Sequence, residues 1–211
     1  LDFIVSNTLY RHFFYPEIKS YFKNEKELKV NKKLFSDNFE KKREEGQNDS
    51  YICELIRNDS IENFISHIHQ TNIPLSTAKI KPSIFETNAL LNIEESTLIE
   101  YAAYFGSIQI FQYLHSNGAE LAPSLWLYAI HSNNAEMINF LEENKISPPE
   151  NSFEKCLCEA IKCHHNEIAN YINVNFLTKS GTNSEDNISD DVLDCILRYY
   201  NYSFLPEKIF H

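Results

Sequence analysis

Apolar residues recur at helical spacing through the middle of the chain, in short runs separated by single turn-forming residues. The clearest run is Ser96–Ala119. Thr97 and Glu100 make a capping box ahead of Leu98-Ile99. Ala102 and Ala103 leave room for a close neighbour, Gly106 breaks the helix, and Ile108, Phe111 and Leu114 define a second apolar face that stops at Asn117-Gly118. Sliding by 27 residues lays Ala102 on Ala129, Gly106 on Asn133 and Leu114 on Leu141. A further slide of 31 lays Ala129 on Ala160 and Leu141 on Ile172, and Leu55–Phe64 repeats the break upstream. The break residues are Asp59, Gly106, Asn133 and His164. Helix pairs this short cannot bury their apolar faces alone, so the pattern predicts an all-α stack of hairpins in which each copy covers the next.

The remaining chain is read around that stack. Residues 1–15 (Phe3, Ile4, Leu9, Phe13, Phe14) and a run from Glu17 predict an N-terminal helical extension, followed by a basic stripe of Lys23, Lys26, Lys29 and Lys33. A boundary near residue 48, after Gly46, divides an extension of 1–48 from a repeat domain of 49–211. Repeat units fall near 50–71, 96–122, 123–147 and 148–177, with a capping helix over 191–201. Residues 72–95 are an insertion expected to project from one face, with a short helix over Ser83–Glu86. Thr178–Asp190 is polar and reads as a loop.

The pattern Thr97-Leu98-Ile99-Glu100-Tyr101-Ala102-Ala103-Tyr104-Phe105-Gly106, with Leu114 and Asn117-Gly118-Ala119, resembles an ankyrin repeat. Leu98–Gln112, Pro123–His131 and Ala160–Ile172 are similar, more narrowly, to ankyrin-like proteins of unknown function found in trichomonad protists. The resemblance spans about residues 50–205 and implies an ankyrin-like helical-hairpin solenoid with a binding role and no chemistry. Leu98 stands where that pattern has Pro, and Glu120-Leu121-Ala122-Pro123 leaves little of the hairpin finger. The family's concave-groove positions carry over to Tyr101, Tyr104 and Phe105, then Tyr128, His131 and Ser132, with Arg57 and Asn58 at one end and Glu159 and Lys162 at the other. The protein-binding residues expected from it are Tyr101, Tyr104, Phe105, Tyr128, His131 and Arg57. The competing reading packs Phe105 and Tyr128 between neighbouring repeats, and Trp126 in the core.

Composition and charge narrow the partners. Fifteen Phe and twelve Tyr supply many rings, and only four Gly argue against phosphate cradles. Residues 1–48 carry 10 Lys+Arg against 8 Asp+Glu, and the remainder 9 against 22, so the formal −11 splits into +2 and −13. An acidic repeat region repels a phosphate backbone and attracts a basic protein surface. The expected partner is therefore a protein, with no nucleic acid, membrane or small-molecule substrate. Five cysteines without a recognisable leader or a membrane-length apolar run suggest free thiols in the cytoplasm. The chain opens on Leu1 rather than Met, as a fragment would.

Candidate chemistry is sparse. Cys156-x-Cys158-x4-Cys163-His164-His165 has zinc-type ligands, but Cys158 points away from Cys156 and Cys163 on a helix, and His164 falls at a break. His67-x-His69 does not converge either. The serine-hydrolase, zinc-protease, P-loop and dinucleotide patterns are all missing from the sequence. The expectation is a non-enzymatic interaction module with no metal site and no cofactor. The alternatives are a permanent architectural part of a cytoskeletal or flagellar assembly, and a zinc-dependent activity at the Cys156–His165 cluster.

Overall fold

The computed structural model describes residues 39–93, 95–178 and 189–205. The expected helices of residues 1–15 and from Glu17, and the Lys23–Lys33 stripe, lie outside the described residues. Within them the chain is helical, and the β pairing found is one isolated antiparallel bridge between Lys79 and Thr97. The α-helices are α1 (Phe39–Glu45), α2 (Tyr51–Arg57), α3 (Ile61–Thr71), α4 (Ala89–Ile93), α5 (Leu98–Phe105) and α6 (Ile108–Ser116). They continue with α7 (Leu125–Ser132), α8 (Ala135–Glu143), α9 (Glu154–Lys162), α10 (Asn166–Ile172) and α11 (Asp190–Arg198).

Helices pair along the chain, α2 with α3, α5 with α6, α7 with α8 and α9 with α10. The first helix of each pair also contacts the first helix of the next, giving a row α2–α5–α7–α9 that α11 extends. Position in the row explains composition. On α5, Leu98, Ile99, Tyr101, Ala102 and Ala103 are all buried, and on α7 so are Leu125, Trp126, Tyr128, Ala129 and Ile130. A helix with neighbours on several sides is apolar nearly all round. The second helices bury one stripe each, Phe64 and Ile68, then Ile110, Phe111 and Leu114, then Met137, Ile138 and Leu141. Each such Leu or Ile contributes about 1.5–3 kcal/mol by leaving water.

The capping box is formed. Thr97 Oγ1 accepts from the Glu100 amide at 3.3 Å and Glu100 Oε2 accepts from the Thr97 amide at 2.8 Å. All four break residues adopt left-handed backbone, Asp59 at φ 47°, Gly106 at 68°, Asn133 at 50° and His164 at 58°. Tyr200, after α11, joins them at 58°. Four of these five turns, all but the one at Asn133, close with one repeated bond. The amides of Ser60, Ser107, His165 and Asn201 donate to the carbonyls of Leu55, Ala102, Ala160 and Ile196 at 3.0–3.1 Å, which satisfies carbonyls a helix end leaves open.

The turns are also tied to one another. Ser107 Oγ donates to the Ile56 carbonyl. His165 Nδ1 bonds the Ile130 carbonyl at 2.7 Å, and Asn201 Nδ2 donates to the Ile161 carbonyl at 2.9 Å. In each case the residue after a left-handed turn reaches the end of the preceding first helix. Asn134, in the equivalent place, donates to the Gly106 carbonyl at a longer 3.4 Å. Asp59 adds a link by accepting the amides of Gln109 and Ile110 at the start of α6.

Three expectations change. The insertion over 72–95 does not project: its 81–88 stretch folds back on the residues around Gly46. Asn48 donates from its amide to Glu86 and from Nδ2 to the Lys81 carbonyl, Thr87 donates to the Gly46 carbonyl, and the Phe39 and Phe85 rings meet edge-on at 5.4 Å. Ser83–Glu86 is a turn and the helix begins at Ala89, because side-chain bonds from Ser83, Glu86 and Asn88 to amides two residues on compete with helix formation. Residue Asp190, read as the end of a loop, already belongs to α11, whose start is capped by Ser189 Oγ. Residues 179–188 of that loop lie outside the described residues.

Candidate interaction groove

The C-terminal ends of the first helices bring the expected binding residues onto one face. Helical spacing sets two files there. Arg57, Tyr104, His131 and Lys162 occupy one register position, and Tyr101, Tyr128 and Glu159 the position three residues earlier. The files bond diagonally from one helix to the next. Arg57 Nη1 donates to the Tyr101 hydroxyl at 2.9 Å and to the Asn48 carbonyl at 2.7 Å. The rings of Tyr104 and His131 stack at 4.8 Å and 25°. His131 Nε2 lies 2.6 Å from Glu159 Oε1, and Lys162 Nζ reaches the same carboxylate at 2.9 Å. Lys162 Nζ also stands 6.0 Å over the Tyr199 ring.

Two of the six expected binding residues are interior. Tyr101 is fully buried and Tyr128 is 5% exposed. Tyr101 lies on α5, which packs against α2 and α7, and its hydroxyl is held by Arg57; Tyr128 lies on α7, between α5 and α9. Neither offers its ring to a partner. Burial, opposed only in part by Arg57, raises the Tyr101 phenol well above its usual range. Tyr104, Phe105, His131 and Arg57 are half-buried and border solvent. Phe105 rests against Tyr101 at 4.8 Å and Tyr104 at 4.9 Å. Asn88 Nδ2 donates to the Tyr104 hydroxyl, so the insertion reaches the groove and supplies a residue that periodicity did not single out.

Two hollows adjoin these residues. One of about 350 Å³ is lined by Lys41, Lys42, Asp49, Glu54 and Arg57 among others, and is polar with both signs of charge. The other, about 210 Å³, lies between Gly46, Glu86–Asn88 and the rings of Tyr104 and Phe105. Burial raises the Glu86 carboxyl against the lowering effect of the Asn88 and Asn48 amides that donate to it.

The cysteine and histidine run over 156–165 does not converge. Cys156 is in the core, with its thiol pushed up to about 12 by burial. Cys158 faces the Asp191 carbonyl, His164 bonds the Tyr199 carbonyl, and His165 the Ile130 carbonyl. Cys163 alone turns into the groove, where Sγ lies 3.5 Å from Nδ1 and 3.7 Å from Nε2 of His131. Near-equal distances to the two nitrogens put the sulfur off the line of either lone pair, so the ring is not aimed to take its proton. Burial and the Glu159 charge push the Cys163 thiol up to about 12, which is the opposite of an activated nucleophile.

At Glu159 burial acts to raise the carboxyl, but the His131 bond and the Lys162 charge outweigh it and hold the group below its usual range. Among the described residues no helix is long and apolar enough to cross a membrane. No family model, curated protein or solved structure matches the chain.

Proposed function

We propose that the chain is an ankyrin-like helical-hairpin solenoid that works as a non-enzymatic protein-interaction module in the cytoplasm. The repeated left-handed turns and the bonds from Ser107, His165 and Asn201 to the preceding first helices support the solenoid reading. The observation that carries the function is the file Arg57, Tyr104, His131 and Lys162, which share one register position along one face of the row. Arg57, Tyr104 and His131 are held by side chains on adjacent helices, and Lys162 is held by Glu159 on its own helix. A surface ordered in advance loses little side-chain freedom on docking. Partly exposed rings bordered by cations and carboxylates have the make-up of a binding hot spot. The contact set is Arg57, Tyr104, Phe105 and His131, with Tyr101 and Tyr128 supporting it from within. The −13 charge of residues 49–211 favours a partner with a basic surface.

Affinity capture from native extract tests this with Tyr104→Ala, leaving Tyr101 intact. Loss of specific partners, and weaker retention as salt rises, is the expected result. An unchanged captured set removes the groove from the proposal.

The architectural alternative has its own support. Tyr51, Ile84 and Leu197 are 54%, 63% and 51% exposed and lie outside the groove. It predicts co-purification in fixed stoichiometry with a large assembly, unaffected by Tyr104→Ala and lost on changing Ile84 and Tyr51 together to Ser.

A further inference from the structure

We propose that His131, Glu159 and Cys163 form a binding site for a zinc-class divalent metal ion, set between α7 and α9. The site goes beyond the interaction reading and revises the expectation of a metal-free chain. Of the cysteine and histidine run that first suggested zinc, it uses Cys163 alone.

The geometry begins with register. Glu159 and Cys163 are four residues apart at the end of α9, so they rise from the same side of that helix. That side meets the end of α7, where His131 lies. One potential ligand atom from each residue lies within 4.8 Å of the others. Zinc bonds run about 2.3 Å to sulfur, 2.0–2.1 Å to imidazole and 2.0–2.2 Å to carboxylate, so ligands on one tetrahedral ion stand roughly 3.2–3.6 Å apart. The 3.7 Å between Cys163 Sγ and His131 Nε2 is already close to that span. The 2.6 Å between His131 Nε2 and Glu159 Oε1 is a direct hydrogen bond, and it opens by about 0.8 Å to admit the ion.

The donor set selects the metal. One thiolate, one imidazole and one carboxylate match zinc and its neighbours, whereas calcium and magnesium require oxygen donors. Loading is written as Cys163–SH plus M²⁺ giving Cys163–S⁻–M²⁺ plus a proton released to solvent. His131 binds as the neutral ring through Nε2. Lys162, whose side chain is 40% exposed, gives up Glu159 and turns to water as the ion replaces it as counter-charge. Tyr104 stacked on His131 sets the ring plane. Three protein ligands leave a position for water.

The test uses the full chain, stripped with chelator and kept reduced, and titrated with Co²⁺. A thiolate-to-cobalt charge-transfer band is expected in the near ultraviolet, displaced by Zn²⁺ and accompanied by a rise in Tm. Cys163→Ser is expected to abolish the band. Glu159→Gln is expected to weaken Zn²⁺ binding at least about tenfold against a competing chelator. Cys158→Ser, at a thiol outside the site, is expected to keep both band and affinity. Far-ultraviolet circular dichroism checks that each variant is folded, and Glu159→Gln carries the test if Cys163→Ser is not. Absence of the band, its survival in folded Cys163→Ser, its loss in folded Cys158→Ser, or unchanged affinity in Glu159→Gln overturns the site.

Discussion

The two ends of the groove are built on the same helical frame with different chemistry. At α5 the frame carries Tyr101, Tyr104 and Phe105, and at α9 it carries Glu159, Lys162 and Cys163. The α5 end is backed by the 81–88 stretch, where Asn88 holds Tyr104, while Arg57 holds Tyr101. The α9 end is finished by charge, with His131 and Lys162 both bonded to Glu159. A shared register therefore does not mean a shared role. The ring at the inner position becomes core, and the carboxylate at that same position stays beside the groove.

The sharpest way to break this comparison is Tyr101→Ala. If Tyr101 is core, the variant loses about 3–5 kcal/mol of stability, a cavity effect read by chemical denaturation. Tyr104→Ala, at the groove surface, loses much less. Comparable losses for the two would erase the distinction between inner and outer positions.

Next in size are the ties between turns. Asn201→Ala removes the donor to the Ile161 carbonyl and Ser107→Ala the donor to Ile56, each buried, at about 1–3 kcal/mol. Similar costs at both ends of the row would establish that α11 is integral to it rather than an appended helix. A negligible cost at Asn201 would separate α11 from the row.

Turn strain comes third. Gly106→Ala places a Cβ 3.2 Å from Asn134 and 3.3 Å from Ser132 at φ 68°, and costs about 1–2 kcal/mol. Lys145→Gly, at φ 54°, changes stability in the opposite direction by up to about 1 kcal/mol. Thermal melts of the pair separate backbone strain from packing.

The smallest effect is with pH. Glu159 is depressed when folded, so its contribution to stability is present above its ordinary value of 4.5 and is lost as pH falls through the lower folded value. Wild type is expected to lose stability on that acid limb more steeply than Glu159→Gln. Equal slopes in denaturation from pH 6 to 3 would remove the ion pair from the account.

Legibility varied with the range of the interaction. Thr97-x-x-Glu100 and the four break residues act within a few positions, so the capping box and left-handed turns could be read directly. The place of α11 in the row was harder to see, because Tyr200 and Asn201 form the turn with residues that do not resemble Gly106-Ser107. A polar residue after each break was the available signal. Of the groove, Tyr104, Phe105, His131 and Arg57 border solvent, while Tyr101 and Tyr128 were placed there by register and proved interior. The approach of Cys163 to His131 spans 32 residues and depends on how α9 lies against α7, which no spacing rule within one helix encodes.

By itself the sequence determined the paired helices of residues 51–172, their turns and the small residues where they meet, because caps, periodicity and steric size act through neighbours along the chain. Tertiary structure decided which of two residues on the same helical face met water and which met protein. It also decided which cysteine joined a histidine and a glutamate. Those outcomes follow from the lateral packing of helices distant in sequence, where a shift of a few ångströms turns a ring from surface to core.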